Sequence, residues 1–324
     1  MMMFGQLSNR KSLRDLVVAM EAHAGKLYHL GIGKSVTQSN LSKANDNVTI
    51  ASSRSMQHSW LPRHVSVESK IFELDAHVYT FDSTTIDLCL SVFEWTKIYK
   101  HKGRIKLHTL YDIEAEVLAF VYITPTNIHD SDSKGIPEIP YESGAHYIFD
   151  REYNDFSNLN TISSIGAFFV VRANTNVRIK PKTRKWRLPE TVVYDIIGCF
   201  MVDKSSKNYL EELRKLIVKN PEDSKRYILL TNNLDASAQL ISSIYRNRWS
   251  VELFFKWIKW HLRIKKFWGT SENAVRIHIY CAIITYCLVA IAQHDMKLER
   301  RSLWSFPNSR NLSDRQNTSC LLYT

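Results

Sequence analysis

The order of patterns along the chain predicts an α/β protein: a mixed sheet with flanking helices, interrupted by a β-rich insertion and preceded by a small helical region. Three observations carry this expectation. Alternating apolar segments fall between residues 77 and 124 and again between 145 and 231. Helical apolar spacing dominates before residue 47 and after residue 236. Hydrophobic residues make up 44% of 324, enough to fill a core shared by both kinds of element.

The N-terminal pattern is helical. Ser12 can cap a helix running to Gly25, with Leu13, Leu16, Val17 and Met20 at helical spacing. Leu30-Gly31-Ile32-Gly33 breaks the chain, and Ser35 to Asn45 forms a second, polar helix. Helix, glycine turn and polar helix outline a helix-turn-helix, with Gln38, Asn40 and Lys43 facing base edges or phosphates. Many helical hairpins share that outline.

Strands follow. His77 to Asp82 is β-rich and ends at an acid; Arg104 to Leu110 and Val117 to Thr124 alternate, and the three read as an antiparallel meander. Ala145 to Asp150 is another apolar strand ending at an acid, and Phe156 to Ile165 a helix. Ala167 to Arg172, Ile196 to Val202 and Arg226 to Thr231 read as strands, with a basic segment, Lys180 to Arg187, between the first two. Ala236 to Ile264 and Glu272 to Gln293 read as helices.

Lys and Arg outnumber Asp and Glu by 43 to 32, a net charge of +11. That suits a polyanionic partner, because neutralised phosphates release counterions. It suits an ordinary basic protein equally well. Cys89, Cys199, Cys281, Cys287 and Cys320 include no Cys-x-x-Cys pair, which argues against a zinc ribbon or redox couple and fits reduced thiols in a cytosol. Residues 1–14 lack a signal-peptide pattern, and the apolar stretch Ile277 to Ala292 is expected to be a buried helix, so no membrane partner is expected.

Two strands end in carboxylates, Asp82 and Asp150, and an α/β sheet places its site at strand ends. Either acid alone is more often a turn or cap residue. In the helix after residue 236, Tyr245, Arg248, Glu252 and Lys259 fall at offsets 0, 3, 7 and 14, which share one helix face. An amphipathic helix with ion pairs on its wet side has the same spacing. Ser83 and Thr84 read as turn or helix-cap groups, and His108, His129 and His146 lack metal-ligand spacing. No glycine-rich phosphate loop occurs.

The spacing Tyr-x2-Arg-x3-Glu-x6-Lys resembles the signature of insertion-sequence family four transposases at each of its positions. Phe81-Asp-Ser-Thr-Thr-Ile-Asp-Leu-Cys-Leu-Ser91, followed by Glu94-Trp95 and Lys102 to His108, resembles that family's first catalytic block. Asp150-Arg151-Glu152-Tyr153 resembles its second, usually Asp-Arg-Gly-Tyr. The resemblance covers roughly residues 10–47 and 71–299.

It implies a ribonuclease-H-like core at 71–165 and 232–299, a β-rich insertion at 166–231 and a DNA-end-binding region at 1–47. It implies that Asp82, Asp150 and Glu252 are catalytic and hold two Mg²⁺ ions, for which Mn²⁺ could substitute. Tyr245, Arg248 and Lys259 would grip phosphates, Trp249 would stack on a turned-out base or else pack the core, and Arg151 and Tyr153 would also meet DNA. The implied partners are double-stranded element ends and target DNA, engaged by a homodimer in a bacterial cytoplasm, at the nucleoid. A binding-only decayed copy and a nuclease of the same fold stay open beside an active transposase.

The sequence departs from the family in three places. Residue 152 is Glu where Gly is usual. Residues 48–70 carry no helical or strand period, and the codons permitted for Asn47 to Arg54 include a run that, read two bases later, is family-like; a frameshift near 47, restored near 70, is expected. The tail, 300–324, is equally patternless.

Overall fold

A computed structural model describes residues 1–8, 10–32, 36–47, 71–72, 74, 76–88, 103–125, 139–153, 155–201, 209, 211–219, 225–261 and 267–296. The two irregular segments, 48–70 and 300–324, lie outside the described residues, as do Cys89, Cys320 and His129.

Among the described residues nine strands form one sheet in the order β3-β2-β1-β4-β5-β9-β8-β7-β6. The expected meander is present: β1 (Val78–Leu88), β2 (Gly103–Asp112) and β3 (Val117–Pro125) pair antiparallel. β4 (His146–Phe149) lies parallel to β1, and β5 (Phe168–Arg172) parallel to β4. The chain then adds β6 (Ile179–Arg184), β7 (Val192–Phe200), β8 (Leu213–Lys219) and β9 (Arg226–Thr231), all antiparallel, with β9 returning beside β5. The strands added after the second acid therefore extend the same sheet, and β5, which the expected insertion included, sits in its parallel centre.

Alternation along the strands sends one set of side chains to each face. Val78, Ile86, Leu107, Ile148, Val170, Leu216 and Val218 pack with the helical layer on one face. Tyr79, Phe81, Tyr147, Phe149, Phe169 and Leu213 pack on the other, against α5 (Phe156–Ser164) through Leu159 and Ile162. The helical layer is α6 (Ala238–Arg246), α7 (Ser250–His261) and α8 (Glu272–Asp295), preceded in the chain by α1 (Met2–Leu7), α2 (Leu13–Ala22), α3 (Ala24–Leu27) and α4 (Gln38–Asn47). By length and composition α8 could cross a membrane. Here its Val275, Ile279, Ala282, Ile283 and Cys287 are buried in the core.

The N-terminal region docks onto α8. Ser12 caps α2 (Leu13–Ala22) by accepting from the Asp15 amide, as its sequence position predicts. Gly31 takes a left-handed φ of 70° after the short turn Tyr28–Leu30. α4 (Gln38–Asn47) buries Leu41 against Leu13, Leu16 and Met20. From α1 (Met2–Leu7), Gln6 Nε2 lies 3.0 Å from His278 Nε2, and Gly5 backs onto the Trp268 ring. The end of α4 meets the start of α8, where Asn273 donates to the carbonyls of Asn45 and Asp46 and Ser271 donates to the Asp46 carboxylate.

Candidate active site

Asp82 does not end its strand. β1 continues six residues further, to Leu88, and Ser83 and Thr84 pair with His108 and Leu107 of β2 rather than forming a turn or cap. The run Asp-Ser-Thr-Thr-Ile-Asp reads as a turn because it is polar. It is polar because this part of β1 faces the site. Thr80, Asp82 and Thr84 alternate with Phe81 and so point to the helical layer. Asp150 follows β4 directly, two residues after Ile148, and shares that orientation before the turn Arg151–Tyr153.

The third element differs from the continuous helix that the pattern over 236–264 suggests. α6 ends at Arg246, a 3₁₀ turn spans Asn247–Trp249, and α7 begins at Ser250. α6 is capped by Ser237, whose hydroxyl accepts from the Leu240 amide, and it buries Ala238, Ile241 and Ile244. α7 buries Val251, Phe254, Phe255 and Ile258. The two helices run across the sheet face and bring Tyr245, Arg248 and Glu252 over Asp82 and Asp150.

The three acids meet through two side chains. Arg248 donates from Nη1 to Asp82 Oδ2 at 3.3 Å and from Nη2 to Glu252 Oε1 at 2.8 Å. The Tyr245 hydroxyl donates to Asp150 Oδ1 at 3.3 Å. Burial raises the Asp82 carboxyl to about 7; Arg248 and the Ser83 amide pull it down, and Glu252 and Asp150 push it up. Burial also opposes the charge on Arg248, but Asp150, Tyr245, Asp82 and Glu252 around it raise its pKa and keep it a cation. Burial and then the Asp150 charge keep the Tyr245 phenol protonated, a donor throughout the ordinary pH range.

The other expected residues divide. Trp249 is 45% exposed, so its ring does not pack the core. Lys259 is exposed two turns beyond Glu252; burial of its stem lowers its pKa, and Asp87 of β1 is the charge acting against that. Arg151 and Glu152 are exposed. Gln38, Asn40 and Lys43 are exposed on α4, away from the buried side that holds Leu41. Tyr153 is a correction: its ring is 2% exposed and sits edge-on to Phe81 at 5.1 Å, so it is a wall of the lower core and not a surface contact. His108 and His146 are core residues. His108 Nε2 lies 2.9 Å from Thr124 Oγ1, and burial lowers His146 to about 4.

Sequence reasoning missed Arg172. It stands two residues beyond Val170, on the helical-layer face at the end of β5, and its charge acts on the Tyr245 oxygen. The available signal was its parity: Ile148 and Asp150 on β4 match Val170 and Arg172 on the parallel neighbour.

A hard divalent cation wants carboxylate oxygens, and these acids supply the right donor set. Among the described residues no three His, Cys, Asp or Glu side chains close to ligating distance, because Arg248 already bridges Asp82 and Glu252. Burial is the main reason the Asp82 carboxyl is raised, and the neighbouring Glu252 and Asp150 charges add to it.

The family model for a transposase DDE domain matches residues 74–288. The chain belongs to this transposase DDE domain family. That match covers both strand acids, the Tyr-Arg-Glu helices and most of α8. A second family model, for a domain of unknown function, matches residues 1–33 of this DDE-domain protein. It is 35% identical over 215 residues to a Sinorhizobium fredii protein named for a transposase, y4zB, covering 65% of this chain and 59% of that one. It is 27% identical over 210 residues to the protein named for the transposase of insertion sequence element IS5377 from Geobacillus stearothermophilus, covering 64% and 54%. A Synechocystis protein named for the transposase of insertion sequence element IS4SA is 24% identical over 269 residues, covering 80% and 72%. The chain thus spans little more than half the length of the first two relatives. Among solved structures, piggyBac transposase in a synaptic complex with hairpin DNA overlaps 73% of this chain and 56% of its own, at 13% identity and a TM-score of 0.37, a likeness too slight to carry weight.

Proposed function

We propose that this DDE-domain protein cuts and rejoins DNA strands at the ends of an insertion sequence. The observation that carries the reading is the convergence of Asp82, Asp150 and Glu252, from β1, the end of β4 and α7, on Arg248 and Tyr245. A ribonuclease-H-like core is supported by the order β3-β2-β1-β4-β5, with three antiparallel strands followed by two parallel ones. The helical region 1–47 is proposed to bind element ends, with Gln38, Asn40 and Lys43 outward.

Asp82, Asp150 and Glu252 would hold two Mg²⁺ ions, or Mn²⁺ in their place. Bound there, such ions would stabilise the attacking and leaving oxygens of an in-line phosphoryl transfer. The chain's own groups do the rest. Arg248 presents a planar, permanently charged fork suited to a phosphate. Tyr245, held protonated, would turn its one O–H from Asp150 to a non-bridging oxygen. Arg172 and Lys259 add positive charge on either side, and exposed Trp249 offers a face for an unstacked base. Water would attack a backbone phosphorus at the element end, breaking its P–O3′ bond to leave a 3′-hydroxyl and a 5′-phosphate. That 3′-oxygen would then attack the phosphorus of a second phosphodiester, whose own 3′-oxygen leaves as a hydroxyl. Two ends cut together call for two copies on DNA, in the cytoplasm of a bacterium.

The experiment is a strand-transfer assay with Mg²⁺, the full chain and a pre-cleaved duplex carrying the DNA that borders its own gene, with Glu252→Gln as control. Joined product absent from the control supports the proposal. Binding without cleavage marks a decayed copy, and cleavage without joining marks a nuclease.

A further inference from the structure

Far from the acids, the added strands hold a fully buried ion pair. Asp195 of β7 and Arg214 of β8 are each 1% exposed. Arg214 Nε donates to Asp195 Oδ1 at 2.8 Å and Nη2 to Oδ2 at 2.7 Å, a bidentate pair. Burying two charges costs more than apolar packing would, so the pair is poorly explained as a stabiliser of β7 and β8. Arg214 shares the inward face of β8 with Leu216 and Val218, which pack with the helical layer.

The remaining nitrogen explains the placement. Arg214 Nη1 donates to the carbonyl of Leu234, at 3.4 Å, and to that of Ala236. Lys185, whose amide bonds the Asp195 carbonyl, also donates from Nζ to Leu234 O at 3.2 Å. Those carbonyls lie in the β9–α6 connection, immediately before the Ser237 cap. The same connection is stitched to the central strands: Asn232 bonds the Phe169 amide and the Ala167 carbonyl, and Asn233 lies 3.1 Å from His146. α6 leaves this anchored point and carries Tyr245 at its far end, followed within one turn by Arg248.

We propose that Asp195 and Arg214 are positioning residues for the active-site helices, fixing the start of α6 so that Tyr245, Arg248 and Glu252 arrive over the two strand acids. The inference rests on the transposase reading for its consequence in catalysis, and on geometry alone for its consequence in structure. Two variants separate it from plain stabilisation. Asp195→Leu with Arg214→Met replaces the pair by apolar groups of similar size. Arg214→Lys keeps one contact with Asp195 but cannot also span the two carbonyls.

Amide hydrogen exchange on the full chain is the first readout. Both variants should exchange about ten- to a hundredfold faster than wild type across 238–249, with β7 and β8 still protected. Unchanged exchange in α6, or loosening confined to β7 and β8, overturns the proposal. Cleavage of pre-bound duplex is the second readout. With wild type active, both variants should cut about a hundredfold more slowly at unchanged duplex affinity. Equal rates overturn the proposal. A wild type that cuts nothing overturns the transposase reading instead and leaves the exchange result to decide the inference.

Discussion

At the residue scale the site is governed by one carboxyl and one guanidinium. Burial raises Asp82 to about 7, well above its unfolded range. A carboxyl shifted in that direction favours the native state most while it is protonated, and the advantage is lost as pH climbs from about 4 through about 7. In chelator, the wild type should therefore lose roughly 2 kcal/mol of unfolding free energy between pH 5 and pH 8 relative to Asp82→Asn. Urea titrations at the two pH values check this; parallel curves for the two proteins would contradict the assigned burial. Arg248 is tested by Arg248→Lys. An ammonium cannot reach both Asp82 and Glu252 or fork onto a phosphate, so single-turnover cleavage should fall about a hundredfold. The facing of Asp150 was readable from strand parity, and that of Arg248 from helical spacing. Tyr153 was not: its motif neighbours are exposed, while its own ring fills the space beneath Phe81.

At the element scale, apolar periodicity found the strands with an unbroken apolar face and missed those without one. β6 buries Ile179 and exposes the rest of Lys-Pro-Lys-Thr-Arg, as an edge strand with a bulge does. β8 reads Leu-Arg-Lys-Leu-Ile-Val-Lys, and buried Arg214 sits where alternation calls for an apolar residue. The break at Asn247–Trp249 is invisible to helical spacing because a 3₁₀ turn keeps the next helix nearly in phase. The β6–β7 contact yields its own test. A methyl group on Gly198 would run into the Lys180 carbonyl, backbone that cannot yield cheaply, and would also crowd the Ile179 side chain. Gly198→Ala should cost about 1–3 kcal/mol and unprotect the β6 amides first. Calorimetry with hydrogen exchange measures both, and uniform protection in β6 would refute the close approach.

At the scale of the whole molecule, the N-terminal helices and α8 act as one packed unit. Their junction depends on Gly5 lying flat against Trp268, on Gln6 reaching His278, and on the tie between Asp46 and Ser271. Gly5→Val should push α1 off Trp268 and speed exchange in α1 and the start of α8, while β1, β4 and β5 keep their protection. Loss of protection throughout would show that the helical region is integral to the core rather than docked on it. The sequence hints at this junction only as a polar helix and an apolar one. Their contact is set by small residues and amide side chains, which carry no periodic signal.

The antiparallel pairing of β5 with β9 sets Arg172 opposite Leu229, which makes everything between them formally one long hairpin connection. Excising that excursion would re-thread no strand, so topology treats it as removable. Mechanics does not, because the excision would take Arg214 and Lys185 away from Leu234 and leave the root of α6 without its brace. Shortening the excursion at its outer rim, around β6, is therefore a different act from removing it.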